Sequence, residues 1–257
     1  LPSILKTVML GILQGATEFL PVSSSGHLTI AQGILGVTEN RILLDVFLHV
    51  GTLIAILVVF GRDIVALFSS NKRWIPYLVL ASVPAAIVGL LLRPYIESVF
   101  DSVLAVAGLL MGNSLILAVG SIAQRRRKKP AEVEAKGALA VGVAQSVAIL
   151  PGISRAGSTV CLGLVMGWEQ AVAVRFSFLL AIPAIVGAAG LETIKCRSAL
   201  ATGEVLGTGL VGVLVSAAAG YAALRLFLKA VEKRTLWLFS AYCFLLGAAL
   251  IVYNLAT

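Results

Sequence analysis

Apolar sequence runs almost the whole length of this chain, and it is broken twice by the same kind of segment. One break is Gly11-Ile-Leu-Gln14-Gly-Ala-Thr-Glu18-Phe-Leu-Pro21-Val-Ser23-Ser24-Ser25-Gly26-His27. The other is Gly142-Val-Ala-Gln145-Ser-Val-Ala-Ile-Leu-Pro151-Gly-Ile-Ser154-Arg155-Ala-Gly157-Ser158-Thr159. A shift of 131 residues lays Gly11 on Gly142, Gln14 on Gln145, Ser23 on Ser154, Gly26 on Gly157 and Gly36 on Gly167. In lipid every backbone polar group needs an internal partner, so such breaks survive only where they are buried in protein or line a wet cavity. Matching breaks in two halves point to one binding site at the interface of an internal repeat.

The chain has 257 residues, 59% of them hydrophobic and only 12% charged, with a mean hydropathy of +1.02. A soluble surface needs far more charge, so the chain reads as a polytopic membrane protein. The hydropathy recurs from end to end, which a signal peptide does not explain. The sequence opens on Leu1, and a native start upstream of it is expected. Cys161, Cys196 and Cys243 are far apart and odd in number, which suits neither a disulfide framework nor a thiolate metal site. A net charge of +8 would suggest nucleic acid in a soluble chain. In a membrane chain it reflects cytoplasmic loops, and no nucleic-acid partner is expected.

Six stretches, roughly 44–61, 75–92, 102–123, 172–191, 205–228 and 236–256, approach the ~20 residues that a helix needs to cross hydrocarbon. Regions 2–37 and 137–168 are apolar but interrupted, and each predicts two half-helices of about 12–15 residues forming a re-entrant hairpin. Each first half-helix should stop at or just before Pro21 or Pro151. Positive loops stay in the cytoplasm. Arg62, Lys72 and Arg73, then the tract Arg125 to Lys129 with Lys136, then Lys229, Lys233 and Arg234 place loops 62–74, 124–136 and 229–235 inside. Loops 93–101 (Arg93) and 192–204 (Lys195, Arg197) fall outside. Three spans per half is an odd number, so the second half is inverted relative to the first. The predicted fold is an all-α polytopic membrane protein of six transmembrane helices plus two re-entrant helical hairpins in an inverted-topology repeat. It forms a single membrane domain, 1–257, with repeat one at about 2–123, a basic linker at 124–136 that also touches anionic lipid, and repeat two at about 137–256.

Gln14 and Glu18 share one face of the first half-helix. A carboxylate at membrane depth costs roughly 2.5–3.5 kcal/mol on insertion scales and is a functional hypothesis by default. The plainer alternative is an interfacial carboxylate held by water. Ser23, Ser24 and Ser25 are good N-caps, and a helix N-terminus is an anion site. His27 can serve as acid, base or nucleophile; the bland alternative is an N-cap followed by a hydrogen-bonded core histidine. The second tip supplies Ser154, Arg155, Ser158 and Thr159. The Arg155 guanidinium forks onto phosphate oxygens; the alternative is a structural ion pair with Glu18, and the two readings are compatible if the pair forms while the site is empty. Together the tips suit a phosphate better than a neutral or cationic ligand. Asp45 and His49, four apart at the outer start of a span, are weaker candidates for the same site, with plain interfacial placement as the equal alternative, and Arg175 is expected to snorkel. Asn113 and Ser114 are expected to hydrogen-bond between helices. The small-residue face Gly108-Leu-Leu-Met-Gly112 allows close packing, inside the chain or in a homodimer.

At these residues the chain resembles the bacterial undecaprenyl-diphosphatase family, also called the bacitracin-resistance proteins. The resemblance is carried by Gln14 to His27, by Pro151 to Thr159 and by Phe176-Ser-Phe-Leu-Leu-Ala-Ile-Pro183, and it extends over essentially the whole chain. It implies a membrane enzyme that removes the terminal phosphate of a polyprenyl diphosphate, leaving the carrier used in cell-wall synthesis. It also implies a divalent cation, Mg²⁺ or Ca²⁺, and a site facing the periplasm from the inner membrane. The family's acidic motif falls on Gln14 and Glu18, its Ser-His segment on Ser23, Ser24 and His27, and its phosphate-binding arginine on Arg155. Three positions depart from the family. Gln14 stands where Glu is common, so Glu18 must carry any carboxylate or metal role. Ser25 stands where Thr is common. Ala156 removes a hydroxyl that Ser158 is the candidate to replace.

The resulting mechanistic expectation puts the lipid tail between helices and the diphosphate between the tips. Arg155 and the helix N-termini bind the terminal phosphate, with Gln14, Ser23, Ser25, Gly26, Ser154, Gly157, Ser158 and Thr159 around it. Either Ser24 or His27 attacks, Ser24 with His27 as base being favoured, and Glu18 holds a cation or orients His27. The rival reading is a polyprenyl-phosphate flippase, since inverted repeats with broken helices also mark transporters.

Overall fold

The computed structural model describes residues 3–37, 41–100, 102–125, 132–195 and 203–256. Two short helices, α1 (Ile4–Phe19) and α2 (Ser24–Ile34), open the chain. They are followed by α3 (Arg41–Val59), the short α4 (Gly61–Leu67), α5 (Trp74–Leu91), the short α6 (Arg93–Phe100) and α7 (Val103–Arg125). The second half begins with two more short helices, α8 (Ala135–Val147) and α9 (Arg155–Val165). It ends with α10 (Gln170–Lys195), α11 (Gly203–Glu232) and α12 (Leu236–Ala256). Among the described residues there is no strand. Helices α3, α5, α7, α10, α11 and α12 are long and apolar enough to cross a membrane, and the protein is a multi-pass membrane protein. Arg126 to Lys129, Cys196 and Arg197 lie outside the described residues.

The six helices fall on the six predicted spans, with shifted ends. Helices α10 and α11 run to 26 and 30 residues, about 40–45 Å at 1.5 Å per residue and longer than a ~30 Å hydrocarbon core. The first break follows its proline closely, since α1 stops at Phe19, just before Pro21. The second does not, because α8 stops at Val147, a full turn before Pro151. There the chain reverses through Gly152 at φ 110°. A Cβ on Gly152 would lie 2.7 Å from Leu109 Cβ and from the Val106 carbonyl, so no other residue fits that turn unstrained.

Small residues let the helices approach closely, as expected where lipid supplies no hydrophobic drive between them. A Cβ on Gly15 of α1 would meet Ala219 and Gly220 of α11 at 2.6 Å. A Cβ on Gly142 of α8 would collide with the Ala81 carbonyl of α5. The packing is crossed between the halves: α1 lies against α11, and α8 against α5. Helix α3 packs on α10 and α11, and α7 on α12. Among the described residues no Cβ contact awaits Gly108, so none of them uses the Gly108 side of the small-residue pair.

A buried aromatic group locks this arrangement. Phe178 of α10 packs on Phe19, Phe60 and Phe227, with ring centroids 5.7, 5.3 and 5.8 Å away. Phe176 packs edge-on against Trp74 and Trp168. The Phe176–Phe178 segment is thus structural, joining α1, α10 and α11. Large apolar side chains such as Leu5, Val58, Leu115, Leu214 and Leu245 face outward, where lipid would cover them.

Candidate active site

The two helix breaks meet. Ser23 caps α2, its Oγ accepting from the Gly26 N–H at 3.3 Å. The same Oγ accepts from the Gly152 N–H of the other break at 2.9 Å. Ser154 caps α9 in the same way, accepting from the Gly157 N–H at 3.1 Å. Asn113 of α7 ties both turns: its Nδ2 donates to the Pro21 carbonyl at 3.0 Å, and its Oδ1 accepts from the Ser154 N–H at 3.0 Å. Gly26 and Gly157, expected around the phosphate, serve this junction. A Cβ on Gly26 would sit 3.3 Å from Gly152, and one on Gly157 would sit 3.1 Å from Pro21. Ser23 holds φ 68° and ψ 94°, a conformation that costs a non-glycine residue of order 1–3 kcal/mol and collects at functional sites.

Glu18 is the hub of the pocket formed there. Its Oε1 accepts from Arg155 Nη2 at 2.5 Å. Its Oε2 accepts from the Ser24 hydroxyl at 2.5 Å and from Gln14 Nε2 at 3.1 Å. His49 Nε2 lies 3.7 Å from the same Oε2. His49 Nδ1–H donates to its own helix at Asp45 O, 2.7 Å away, which turns the other ring nitrogen, Nε2, toward the carboxylate. The helix register explains the grouping: Gln14 and Glu18 share a face of α1, and the N-terminus of α9 carries Arg155 across to them. A buried ion pair of this kind is costly to break, by about 3–5 kcal/mol, because the partner left behind has no water.

The hub opens into a cavity of about 590 Å³. Its polar wall includes Glu18, Ser24, His49, Gln145 and Arg155. Its other wall is apolar or small, made from Ala85, Ala86 and Gly89 of α5 and Ala184, Ile185 and Ala188 of α10. Near the rim Arg93 and Glu192 pair at 2.6 Å, and Gln32 donates to Asp45 at 2.6 Å.

The structure brings Glu18, Ser24 and Arg155 together, with Ser23, Ser25 and Ser154 in the same wall. It does not bring the His27 ring there. His27 Nδ1–H donates to the Ser23 carbonyl at 2.8 Å, and Nε2 accepts from the Tyr242 hydroxyl at 2.7 Å. The ring also stacks on Tyr242 of α12. The Ser24 hydroxyl is committed to Glu18, so the expected Ser24–His27 pairing is replaced by Ser24–Glu18. Gln14 sits behind Glu18, and Thr159 bonds Ser177 Oγ and the Arg155 carbonyl. Neither they nor Ser158 lie in the cavity wall. Ser158 Oγ is buried without a partner among the described residues. Sequence reasoning ranked His49 low and gave Asn113 no role at the site, since nothing in the spacing says which turns a span passes. Arg175, expected to snorkel, pairs with Asp63 at 3.3 Å.

The donor set around Glu18 does not suit a resident divalent ion. Both oxygens are engaged by Arg155, Ser24 and Gln14, and Mg²⁺ demands near-ideal octahedral oxygen geometry. Among the described residues no group of three or more His, Cys, Asp or Glu is placed to hold a metal. Arranged this way, the site offers a hydroxyl bonded to a carboxylate, a guanidinium beside it and two helix N-termini, all facing a cavity with an apolar flank.

Residues 7–249 match the family described as bacitracin resistance protein BacA. A protein of Halothermothrix orenii named undecaprenyl-diphosphatase is 40% identical over 255 residues, covering 97% of each chain. A Desulfatibacillum aliphaticivorans protein of the same name is 40% identical over 274 residues, covering 97% of this chain and 98% of its own. One from Geobacter sulfurreducens is 39% identical over 267 residues, covering 98% and 99%.

Proposed function

The chain belongs to the bacitracin resistance protein BacA family, and from that premise we infer that it is a membrane phosphatase acting on undecaprenyl diphosphate. It releases inorganic phosphate and the lipid monophosphate, which returns to peptidoglycan synthesis and confers bacitracin resistance. The observation that carries the reading is the Ser24–Glu18–Arg155 cluster at the mouth of a cavity with an apolar flank. The diphosphate fits the polar wall, and the prenyl chain fits between α5 and α10.

Arg155 and the N–H groups that begin α2 and α9 hold the terminal phosphate, neutralising charge that spreads over its oxygens during transfer. Ser24 Oγ attacks the terminal phosphorus, and its proton passes to Glu18, which already accepts from it. The bond from that phosphorus to the bridging oxygen breaks, and the lipid monophosphate leaves with the electron pair and takes the proton from Glu18. Water then attacks the phosphoserine, giving its proton to Glu18, and the Ser24 oxygen departs and is reprotonated. His49 Nε2 stands 3.7 Å from Glu18 and positions that carboxylate. His27 is a positioning residue that fixes the Ser23 turn through its carbonyl. A divalent cation, Mg²⁺ or Ca²⁺, would have to arrive with the diphosphate, since the residues around Glu18 do not fit one of their own, and it would supply further charge neutralisation there.

The helix pairs α1–α2 and α8–α9 are read as re-entrant hairpins of an inverted repeat. What supports this is their length of 11 to 16 residues and the crossed packing of α1 on α11 and α8 on α5. A periplasmic opening is supported by Arg93, Phe100 and Glu192 in the cavity wall, since the sparsely charged ends they occupy belong outside. The protein is accordingly assigned to the bacterial inner membrane.

The test is turnover of undecaprenyl diphosphate by purified protein in detergent, where no compartments exist. Release of inorganic phosphate is expected. A protein that only flips the lipid releases none there, and that outcome would refute the reading.

A further inference from the structure

The second half of the repeat holds an amide that the first half explains by contrast. Gln14 and Gln145 are equivalent under the 131-residue shift, and both are buried. In the first half Gln14 Nε2 bonds to Glu18, one helical turn on. In the second half the place of that carboxylate is taken by Ile149. Gln145 is only 2% exposed, and neither its Nε2 nor its Oε1 has a hydrogen-bond partner among the described residues. A buried amide without partners is costly, and native proteins retain one where water or a ligand completes it. Gln145 lines the cavity, so a ligand in that cavity can reach it.

Its place in the wall says which part of the ligand. Gln145 lies in the last turn of α8, the helix that packs along α5. Ala85, Ala86 and Gly89 of α5 line the cavity with it, and a Cβ on Gly89 would touch Ile149 at 3.6 Å. Gln145 therefore stands where the polar wall meets the flank assigned to the prenyl chain, on a different helix from Arg155. We propose that Gln145 is a substrate-binding residue whose amide Nε2–H group donates to the lipid-linked phosphate of the diphosphate. The proposal rests on the reading of the cavity as a prenyl diphosphate site. A neutral donor suits this phosphate, which stays on the lipid throughout while charge is transferred at the other.

The experiment compares wild type with Gln145→Leu in detergent, by turnover, inhibition and thermal unfolding. Leucine keeps the bulk and removes the amide, and because the amide has no partner among the described residues the unfolding temperature should stay the same or rise. KM for prenyl diphosphate should rise about tenfold or more, as for a lost hydrogen bond to a charged group. Inhibition by prenyl monophosphate should weaken about as much, and inhibition by inorganic phosphate should not change. An unchanged KM would overturn the proposal. So would a lowered unfolding temperature, which would make the amide structural, or equal weakening by both inhibitors, which would move its contact to the other phosphate. If wild type itself releases no phosphate, the underlying reading of the cavity fails instead.

Discussion

Ser24→Ala is expected to lower kcat for phosphate release by about four orders of magnitude, as loss of a nucleophile does when the rest of the site stays in place. Ser24 is positioned for attack because its hydroxyl already donates to Glu18 at 2.5 Å. Glu18→Gln keeps the shape of that bond but not its basicity, and should cost about 10²–10⁴-fold in kcat. His49→Gln should cost less than either, about tenfold, since His49 touches the carboxylate only at 3.7 Å. Steady-state phosphate release in detergent measures all three. If Ser24→Ala kept a tenth of the wild-type rate, the assigned attack would be wrong.

Arg155→Ala removes the guanidinium from the phosphate and, at the same time, the partner of a Glu18 side chain that is 6% exposed. Loss of one preorganised charge donor costs about 10²–10³ in kcat, and a drop of at least that size is expected. The two effects can be separated. Arg155→Lys retains a positive charge near Glu18 but loses the fork onto phosphate oxygens, so it should unfold like wild type while still losing most of its turnover. The pair is also a gate in energetic terms. With the cavity empty Glu18 and Arg155 satisfy each other, and the diphosphate must draw the guanidinium toward itself, which leaves Glu18 more basic toward the Ser24 proton it already accepts. Turnover by Arg155→Ala equal to wild type would remove Arg155 from the site altogether.

The spans were legible because lipid leaves the backbone little choice: six apolar runs appear as six helices. The broken segments were legible for the same reason, since Pro21, Gly152 and the serines have no place inside a continuous span. Glu18, Ser24 and Arg155 could be named because charge and hydroxyls at that depth need a purpose. The direction of side chains was not legible. His27 and Ser24 are close in sequence, yet Ser24 turns to Glu18 and His27 to Tyr242, 215 residues further on. His49 carries the same imidazole chemistry from a different helix. Its approach to Glu18 depends on how α3 packs beside α1, which no local spacing encodes. Asn113 was read as an interhelical bond; that it joins both turns required the tertiary structure. Gln145 stood out only as a repeat match, and its missing partner became visible when the cavity did.

The most direct measurement is a rapid quench of turnover with substrate labelled in its terminal phosphate, followed by mapping of the labelled peptide. The account predicts label on Ser24, in the peptide that also holds Ser23 and Ser25 but assigned to the middle hydroxyl, and none in Ser24→Ala. Label on a histidine, His27 or His49, would contradict it.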